Sequence, residues 1–411
     1  MENFLKKAKE ASRVVSTLSP EIKNQILLAM ADRLEKNYQD ILSANSKDMT
    51  VGRKEGLMQS LLDRLFLDEN RIKSMSKGIR EIASLKEPVG RVLDGWVNKD
   101  NLKIEKVSIP IGVIGVIYES RPNVTSDTAA LCFKSGNVCI LKGGKEAKYS
   151  NEAIAKVLEQ VLEEYGLPVE AIMLLPDYSR EGVSKLIKMD RYVDLIIPRG
   201  GESLIKYISS NSTVPVIKHD KGLCHTYIDK DANFDKAVNI SVNAKVQRPG
   251  VCNAMETLLV DEEIYRDILP LLKEKFDEYD TELRGCAKCC EVIDIKKATE
   301  EDFDTEYLDN ILSIKVVNGI DEAIEHIQKY SSNHSESIVT ENYTTAEEFL
   351  NRVDSSCVYV NASTRFTDGG EFGFGAEVGI STSKLHSRGP MGINDLTTYK
   401  YKIYGNGQIR E

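Results

Sequence analysis

From about residue 110 onward, short apolar runs alternate with longer stretches of helical periodicity. Val113–Tyr118, Val138–Leu141, Ile172–Leu175, Leu195–Ile197 and Val214–Ile217 are bounded by Gly or Pro and read as buried strands. Between them, Val124–Phe133, Ser150–Tyr165, Arg180–Lys188 and Gly201–Ser209 carry apolar residues at helical spacing. This order implies a mostly parallel sheet with helices on both faces. A second series follows Asp229: helix Phe234–Lys245, strand Glu256–Val260, helix Glu262–Asp277, strand Leu312–Val317 and helix Asp321–Tyr330. Strand Glu336–Thr340, helix Thr344–Val353 and strand Ser356–Asn361 complete it, so two α/β modules meet near residue 228. The first ninety residues read almost wholly as helix, with Pro20 opening Pro20–Tyr38 where its missing N–H costs nothing. The tail from Leu396 is β-rich; a terminal strand of that length needs a partner, and a subunit interface is one solution.

Charge narrows the function. With 54 Lys and Arg against 64 Asp and Glu, the net charge of -10 repels polyanions, and no run of like charge forms a local basic patch. No apolar stretch approaches the ~18 residues of a membrane span. Met1–Glu10 has the charges of an amphipathic helix and lacks the apolar core of a secretion signal. A soluble, cytoplasmic protein is expected.

Eight cysteines are too sparse for a disulfide scaffold. Cys132, Cys139 and Cys357 lie in apolar runs as small hydrophobes, and Cys224 falls in a strand over Leu223–Ile228. Cys286, Cys289 and Cys290 crowd into Gly-Cys-Ala-Lys-Cys-Cys. Their C-x-x-C spacing would suit zinc, but nothing nearby completes four ligands, so a surface loop with spare thiols is the plainer reading and no metal is expected. Cys252 stands alone in Arg248-Pro-Gly-Val-Cys252-Asn253. Pro and Gly end the preceding helix and leave Cys252 in a loop, with Lys245 and Arg248 near enough in sequence to favour the thiolate. By context alone it reads as either a nucleophile or an incidental thiol.

Two glycine pairs are better placed for phosphate contacts than any G-x-G-x-x-G match. Lys142-Gly143-Gly144-Lys145 and Arg199-Gly200-Gly201 each follow a strand and open a helix, at the carboxyl ends of a parallel sheet. Together they point to a phosphorylated nucleotide. Glu119-Ser120-Arg121-Pro122-Asn123 occupies the same kind of corner. There Asn123 is either a helix cap or an amide aimed, with Arg121, at a polar substrate.

This succession resembles the aldehyde dehydrogenase superfamily. Three stretches are similar, within it, to the gamma-glutamyl phosphate reductases: Tyr118–Val124, Gln247–Thr257 and His334–Glu336. The most specific is Asn361–Ile380, with Lys384–Gly392 beyond it. The resemblance implies NADPH-dependent reduction of L-glutamyl 5-phosphate to L-glutamate 5-semialdehyde, the second step of proline synthesis from glutamate. Cys252 would displace phosphate to form a thioester, which hydride then reduces, and Asn123 would donate to the oxyanion. It also implies cofactor contacts at Lys142, Gly143, Gly144, Lys145, Arg199, Gly200 and Gly201, and substrate contacts at Arg121 and Arg365, with Arg388 as readily structural.

Hydrolytic relatives carry a Glu base in a Glu-Leu-Gly-Gly block. Here the corresponding stretch is His219-Asp220-Lys221-Gly222, which fits a thioester that meets phosphate or hydride rather than water; His219 or Asp220 remains open as an acid or base. Where NAD-preferring relatives place a Glu, this chain has Lys145, so NADP(H) is expected over NAD(H). The resemblance divides the chain into an NADP(H)-binding domain over 1–228, a catalytic domain over 229–360, a return segment over 361–395 and an oligomerisation strand over 396–411. The 91–109 hairpin would join that strand in a homodimer or homotetramer. Glutamate 5-kinase is the candidate protein partner. One rival reading is a cofactor-free cysteine acyltransferase or hydrolase, which lacks a triad-like His near Cys252 in sequence; the other is a catalytically silent binding protein on this fold, against which the presence of Cys252 and Asn123 argues.

Overall fold

Five helices precede the first strand: α1 Glu2–Val15, α2 Pro20–Lys36, α3 Tyr38–Lys54, α4 Gln59–Leu65 and α5 Glu69–Ser84. Ser19 caps α2 by accepting the Ile22 N–H, with Pro20 in the first turn, and Asp68 caps α5 through Arg71. The computed structural model describes residues 1–218 and 221–410; within helix α4 the Ser60 side chain also lies outside the described set. His219 and Asp220 therefore lie outside the described residues. Two compact units divide the chain: Met1–Lys218 with Gly373–Gly379 and Met391–Glu411, and His219–Phe372 with Ile380–Pro390.

The first unit continues with β1 Val92–Val97, β2 Lys103–Pro110, β3 Val113–Tyr118, α6 Pro122–Lys134, β4 Val138–Lys142 and α7 Lys148–Glu164. Then come β5 Ile172–Leu174, α8 Arg180–Leu186, β6 Leu195–Arg199 and α9 Glu202–Asn211. Strands β5-β4-β3-β6 form a parallel sheet in that order. The order of winding reverses at β3, so the ends of β3 and β6 flank the switch point where open α/β sheets bind ligands. β3 and β4 are buried along their whole length, as continuous apolar runs require when helices cover both faces. Val214–Ile217 does not extend the sheet as expected. It makes an isolated bridge, Val216 to Ile196, because Pro215 has no N–H to donate and offers only its carbonyl to Ile196.

The C-terminal strand Thr397–Tyr404 pairs antiparallel with β2 of its own chain, in a three-stranded sheet with β1. β1 and this strand are exposed, with Trp96 and Tyr401 edge-to-face at 6.1 Å.

The second unit holds β7 Cys224–Ile228, α10 Phe234–Val246, β8 Met255–Asp261, α11 Tyr265–Asp277, β9 Glu282–Gly285, α12 Ala287–Cys290, β10 Lys296–Lys297 and α13 Glu300–Phe303. It ends with β11 Ile311–Val317, α14 Gly319–Tyr330, β12 Ser335–Val339, α15 Tyr343–Arg352 and β13 Cys357–Val360. Its sheet is parallel throughout, in the order β10-β9-β11-β8-β7-β12-β13. Alternation along each strand divides the core: Leu258 and Val260 pack with Ile268, Leu272 and Phe276 of α11, whereas Leu259 joins Ile324, Ile327 and Phe349 on the other face. The expected strands and helices of this series are present to within a few residues; β9 and β10 have no counterpart in the sequence pattern. No helix among the described residues is long and apolar enough to cross a membrane.

Candidate active site

In the second unit, α10 ends at Val246 and the chain turns through Pro249 and Gly250 to Cys252, just before β8. Cys252 is half-buried, and its backbone is held from two sides. The Cys224 thiol donates to the Cys252 carbonyl at 3.2 Å, and Cys224 lies 3.7 Å from His334 Nδ1. Gly222 packs so tightly that a Cβ there would stand 2.2 Å from the Cys252 carbonyl oxygen and 2.3 Å from its Cα.

The next residue is clamped as well. Asn253 Nδ2 donates to Thr367 O at 2.9 Å and Arg365 O at 3.3 Å, while Thr364 Oγ1 donates to Asn253 O at 2.7 Å. Arg365 in turn donates Nε–H to Gln247 Oε1 at 2.8 Å and an Nη1–H to Asn253 Oδ1. The structure thus brings Arg365 to the Cys252 loop, as two segments more than a hundred residues apart in sequence are sewn together. Burial lowers the Arg365 pKa, Arg248 lowers it further, and the Cys252 thiol opposes both. That last interaction is mutual: the Arg365 charge favours the Cys252 thiolate.

Lys245 does not serve the thiol in the way the sequence implied. Its ammonium is fully buried 2.6 Å from Glu256 Oε2, and the pair satisfies itself inside the unit. Burial raises Glu256 and lowers Lys245, while their mutual attraction resists both shifts. Removing one partner strands a buried charge, so Glu256→Gln or Lys245→Met is expected to cost about 3–5 kcal/mol. Urea unfolding checks this, with a paired apolar replacement expected to recover most of the loss. Arg388 is structural, donating to Asp354 Oδ1 at 2.8 Å and Asp354 O at 2.9 Å. Lys221 donates to Asp304 O at 2.9 Å.

In the first unit, the corner after β3 carries Arg121 and Asn123. Arg121 precedes α6 and Asn123 sits exposed in its first turn. Asn123 does not cap the helix; its Nδ2 donates to Asp127 Oδ2 at 2.9 Å. One amide hydrogen is thereby fixed and the other is directed away. Desolvation pushes the Asp127 carboxyl up to about 6, against the pull of its bonds from Asn123 and Ser126. Ser120 holds a left-handed φ of 42°, and Glu146 Oε1 secures it by accepting both its N–H at 2.6 Å and its hydroxyl at 2.9 Å. Strain of this kind costs about 1–3 kcal/mol and gathers at functional corners. Glu146 directly follows the Lys142–Lys145 motif, and its contacts, not the motif, single it out.

The glycine pairs lie at the ends of β4 and β6, the two strands that flank β3 in the same sheet. Lys142 closes β4, nearly buried, with its Nζ donating to Gly143 O at 3.1 Å. Burial lowers its pKa, while Asp177, Glu146 and Glu119 pull it back up. Lys145 is exposed and 3.0 Å from Glu55 Oε2. Lys148 lies 5.6 Å from the Tyr178 ring centroid. A Cβ on Gly143 would meet Asn151 Nδ2 at 2.2 Å, and one on Gly200 would meet Glu119 Oε2 at 2.7 Å; Gly201 faces open space. The Gly201 N–H donates to Glu119 Oε2 at 3.0 Å, tying the β6 exit to the β3 exit. Bare glycine backbone beside three ammonium groups fits a phosphorylated dinucleotide. Among the described residues no three His, Cys, Asp or Glu side chains are grouped to hold a metal ion.

Comparison with known proteins agrees with the fold. The sequence model of the aldehyde dehydrogenase family matches residues 1–284. The gamma-glutamyl phosphate reductase of a Nitratiruptor species is 71% identical over the whole of both chains, and that of Nautilia profundicola is 70% identical, also over the whole of both. The crystal structure of gamma-glutamyl phosphate reductase from Thermotoga maritima superposes with a TM-score of 0.98 at 47% identity, covering 100% of this chain and 99% of that one. The chain belongs to the gamma-glutamyl phosphate reductase family of the aldehyde dehydrogenases.

Proposed function

We propose that the chain reduces L-glutamyl 5-phosphate to L-glutamate 5-semialdehyde, releasing phosphate, with NADPH as reductant, in proline synthesis from glutamate. The observation that carries this reading is the doubly held backbone of Cys252 with Arg365 bonded into the same loop. Relatives of 70% identity named for this reaction supply the substrate.

In this reading the Cys252 thiolate attacks the acyl carbon and phosphate leaves with its electron pair, giving a thioester. Arg365 stabilises the thiolate and the departing phosphate by charge, and Arg121 would be the second cation to contact a substrate bearing a carboxylate and a phosphate. Asn123, with one amide hydrogen committed to Asp127, presents the other to the oxyanion; losing one such donor costs roughly 10²–10³ in rate. Lys142, Gly143, Gly144, Lys145, Arg199, Gly200 and Gly201 would hold the cofactor, which when bound supplies the hydride. Gly201 faces open space, and its N–H, held by Glu119 Oε2, would have to leave that carboxylate to meet a phosphate oxygen, while Lys142 and Lys145 would supply positive charge.

Two measurements test this reading. NADP⁺-linked oxidation of glutamate 5-semialdehyde should require phosphate; activity without phosphate would mean that water discharges the thioester and would overturn the assigned reaction. Lys145→Glu should shift the NADPH-to-NADH ratio of kcat/KM toward NADH by about tenfold, since a carboxylate repels the 2′-phosphate that an ammonium attracts. An unchanged ratio would remove Lys145 from cofactor selection. The exposed sheet formed by β1, β2 and the C-terminal strand, with Trp96, Tyr399, Tyr401 and Ile403 outward, is our proposed homo-oligomer contact.

A further inference from the structure

The cysteine cluster of Gly285–Cys290 is not the loop of spare thiols that the sequence implied. Cys286 follows β9, Cys289 lies on the short helix α12 and is fully buried, and Cys290 is exposed. The Cys286 and Cys289 sulfurs are 3.6 Å apart. The half-buried Cys286 Sγ also accepts the backbone N–H of Val316, in β11, at 3.4 Å. Its own N–H donates to Ile314 O at 3.0 Å, so β11 grips this residue at two points. Gly285 makes the approach possible: a Cβ there would stand 2.6 Å from Cys289 Cβ and 2.5 Å from Ile295 Cδ1. Cys290 Sγ turns away, toward Gly285 O at 3.5 Å. One residue of the touching pair is partly exposed and the other is fully buried.

We propose that Cys286 and Cys289 form a thiol–disulfide exchange site for low-molecular-weight disulfides, with Cys286 attacking and Cys289 resolving. The Cys286 thiolate attacks one sulfur of the small disulfide, whose S–S bond breaks; the released thiolate takes a proton from solvent. Cys289 then gives its proton to solvent, and its sulfur attacks Cys286 Sγ and expels the second thiol. The protein dithiol loses two electrons and two protons, and the small disulfide becomes two thiols. The hydrogen bond with Cys289, aided by the Val316 N–H, brings the Cys286 thiol down to about 5 against the opposing effect of burial, while Cys289 is raised. That asymmetry matches the two roles.

The site is separate from the nucleophile. Val316 pairs with Val260 near the end of β8, whereas Cys252 precedes Met255 at its start. Five residue steps of strand span roughly 17 Å.

The test is equilibration of the full-length protein with oxidised and reduced glutathione, acid quench, alkylation and mass spectrometry of the peptide spanning 285–296. The expected product is a Cys286–Cys289 disulfide with Cys290 still alkylated. Cys289→Ser should instead accumulate glutathione on Cys286, from near none in the unsubstituted protein to nearly one per chain. Iodoacetamide at pH 6 should label Cys286 at least tenfold faster than Cys290. A disulfide or glutathione adduct at Cys290 instead, or no oxidation at Cys286 across the series, would overturn the proposal. The unsubstituted protein carries the primary readout, so a folding defect in the variant cannot decide the outcome.

Discussion

Replacing Cys252 with Ala is expected to lower phosphate-dependent aldehyde oxidation by at least about 10⁴-fold, the scale seen when a covalent nucleophile is removed. The fold should survive, because Cys252 is only half-buried and its loop is anchored through backbone: the carbonyl held by Cys224 and the Cα contacted by Gly222. Cys252→Ser should be nearly as inactive, since a serine hydroxyl is a far weaker acid than a thiol and a far poorer nucleophile without a base to take its proton. Binding of NADP⁺ should change little in either variant, and cofactor titration followed by fluorescence checks this. Substantial residual turnover in Cys252→Ala would mean that another thiol carries the acyl group. Cys224, 3.2 Å from the Cys252 carbonyl, would then be the first to test.

The second large effect is expected at Gly222. A new Cβ would lie 2.2–2.6 Å from three backbone atoms of Cys252, and backbone cannot rotate aside as a side chain can. Restoring ordinary contact requires a shift of about 1 Å, enough to cost on the order of 10²-fold in rate at a reacting centre. Gly222→Ala should therefore reduce kcat more than it raises KM, with a stability loss of about 1–3 kcal/mol from overpacking. Gly250→Ala, in the Cys252 loop itself, is the matched control. Its Cβ would meet only Leu308 O, at 3.5 Å, an ordinary contact. Equal losses at both positions would show general fragility of the loop and sink the positioning argument for Gly222.

Periodicity reveals strands and helices well where burial is complete. β3 and β4 are unbroken, buried apolar runs, and their patterns leave little choice. β9 escapes such a reading because Glu282-Leu-Arg-Gly offers only alternate buried positions near the sheet edge, too short a pattern to stand out. Val214–Ile217 errs the other way, since its apolar content hides the missing donor of Pro215.

At the site, residue types are legible in the sequence and contacts are not. The loop setting of Cys252 follows from Pro249 and Gly250, but Gly222 lies thirty positions earlier and only the tertiary fold lays it on Cys252. Lys245 reads as a cation in a last helical turn; which way that turn faces depends on α10 packing against β8, where Glu256 waits. Arg365 is reached through the family resemblance, and its bonds to Gln247 and Asn253 give that choice a physical basis. Glu146 has no signal beyond residue identity, and the Cys286–Cys289 contact shows in the sequence only as a C-x-x-C spacing that suits metal and thiol exchange alike.

Everything proposed for the active site turns on a thioester at Cys252 that phosphate, not water, discharges. Incubating the enzyme with glutamate 5-semialdehyde and NADP⁺ without phosphate, then quenching in acid, allows the peptide containing Cys252 to be weighed. The expected result is a glutamyl adduct on Cys252, formed with at most one NADPH per active site and lost when phosphate is added before the quench. An unmodified Cys252 peptide alongside continuing NADPH production without phosphate would contradict it.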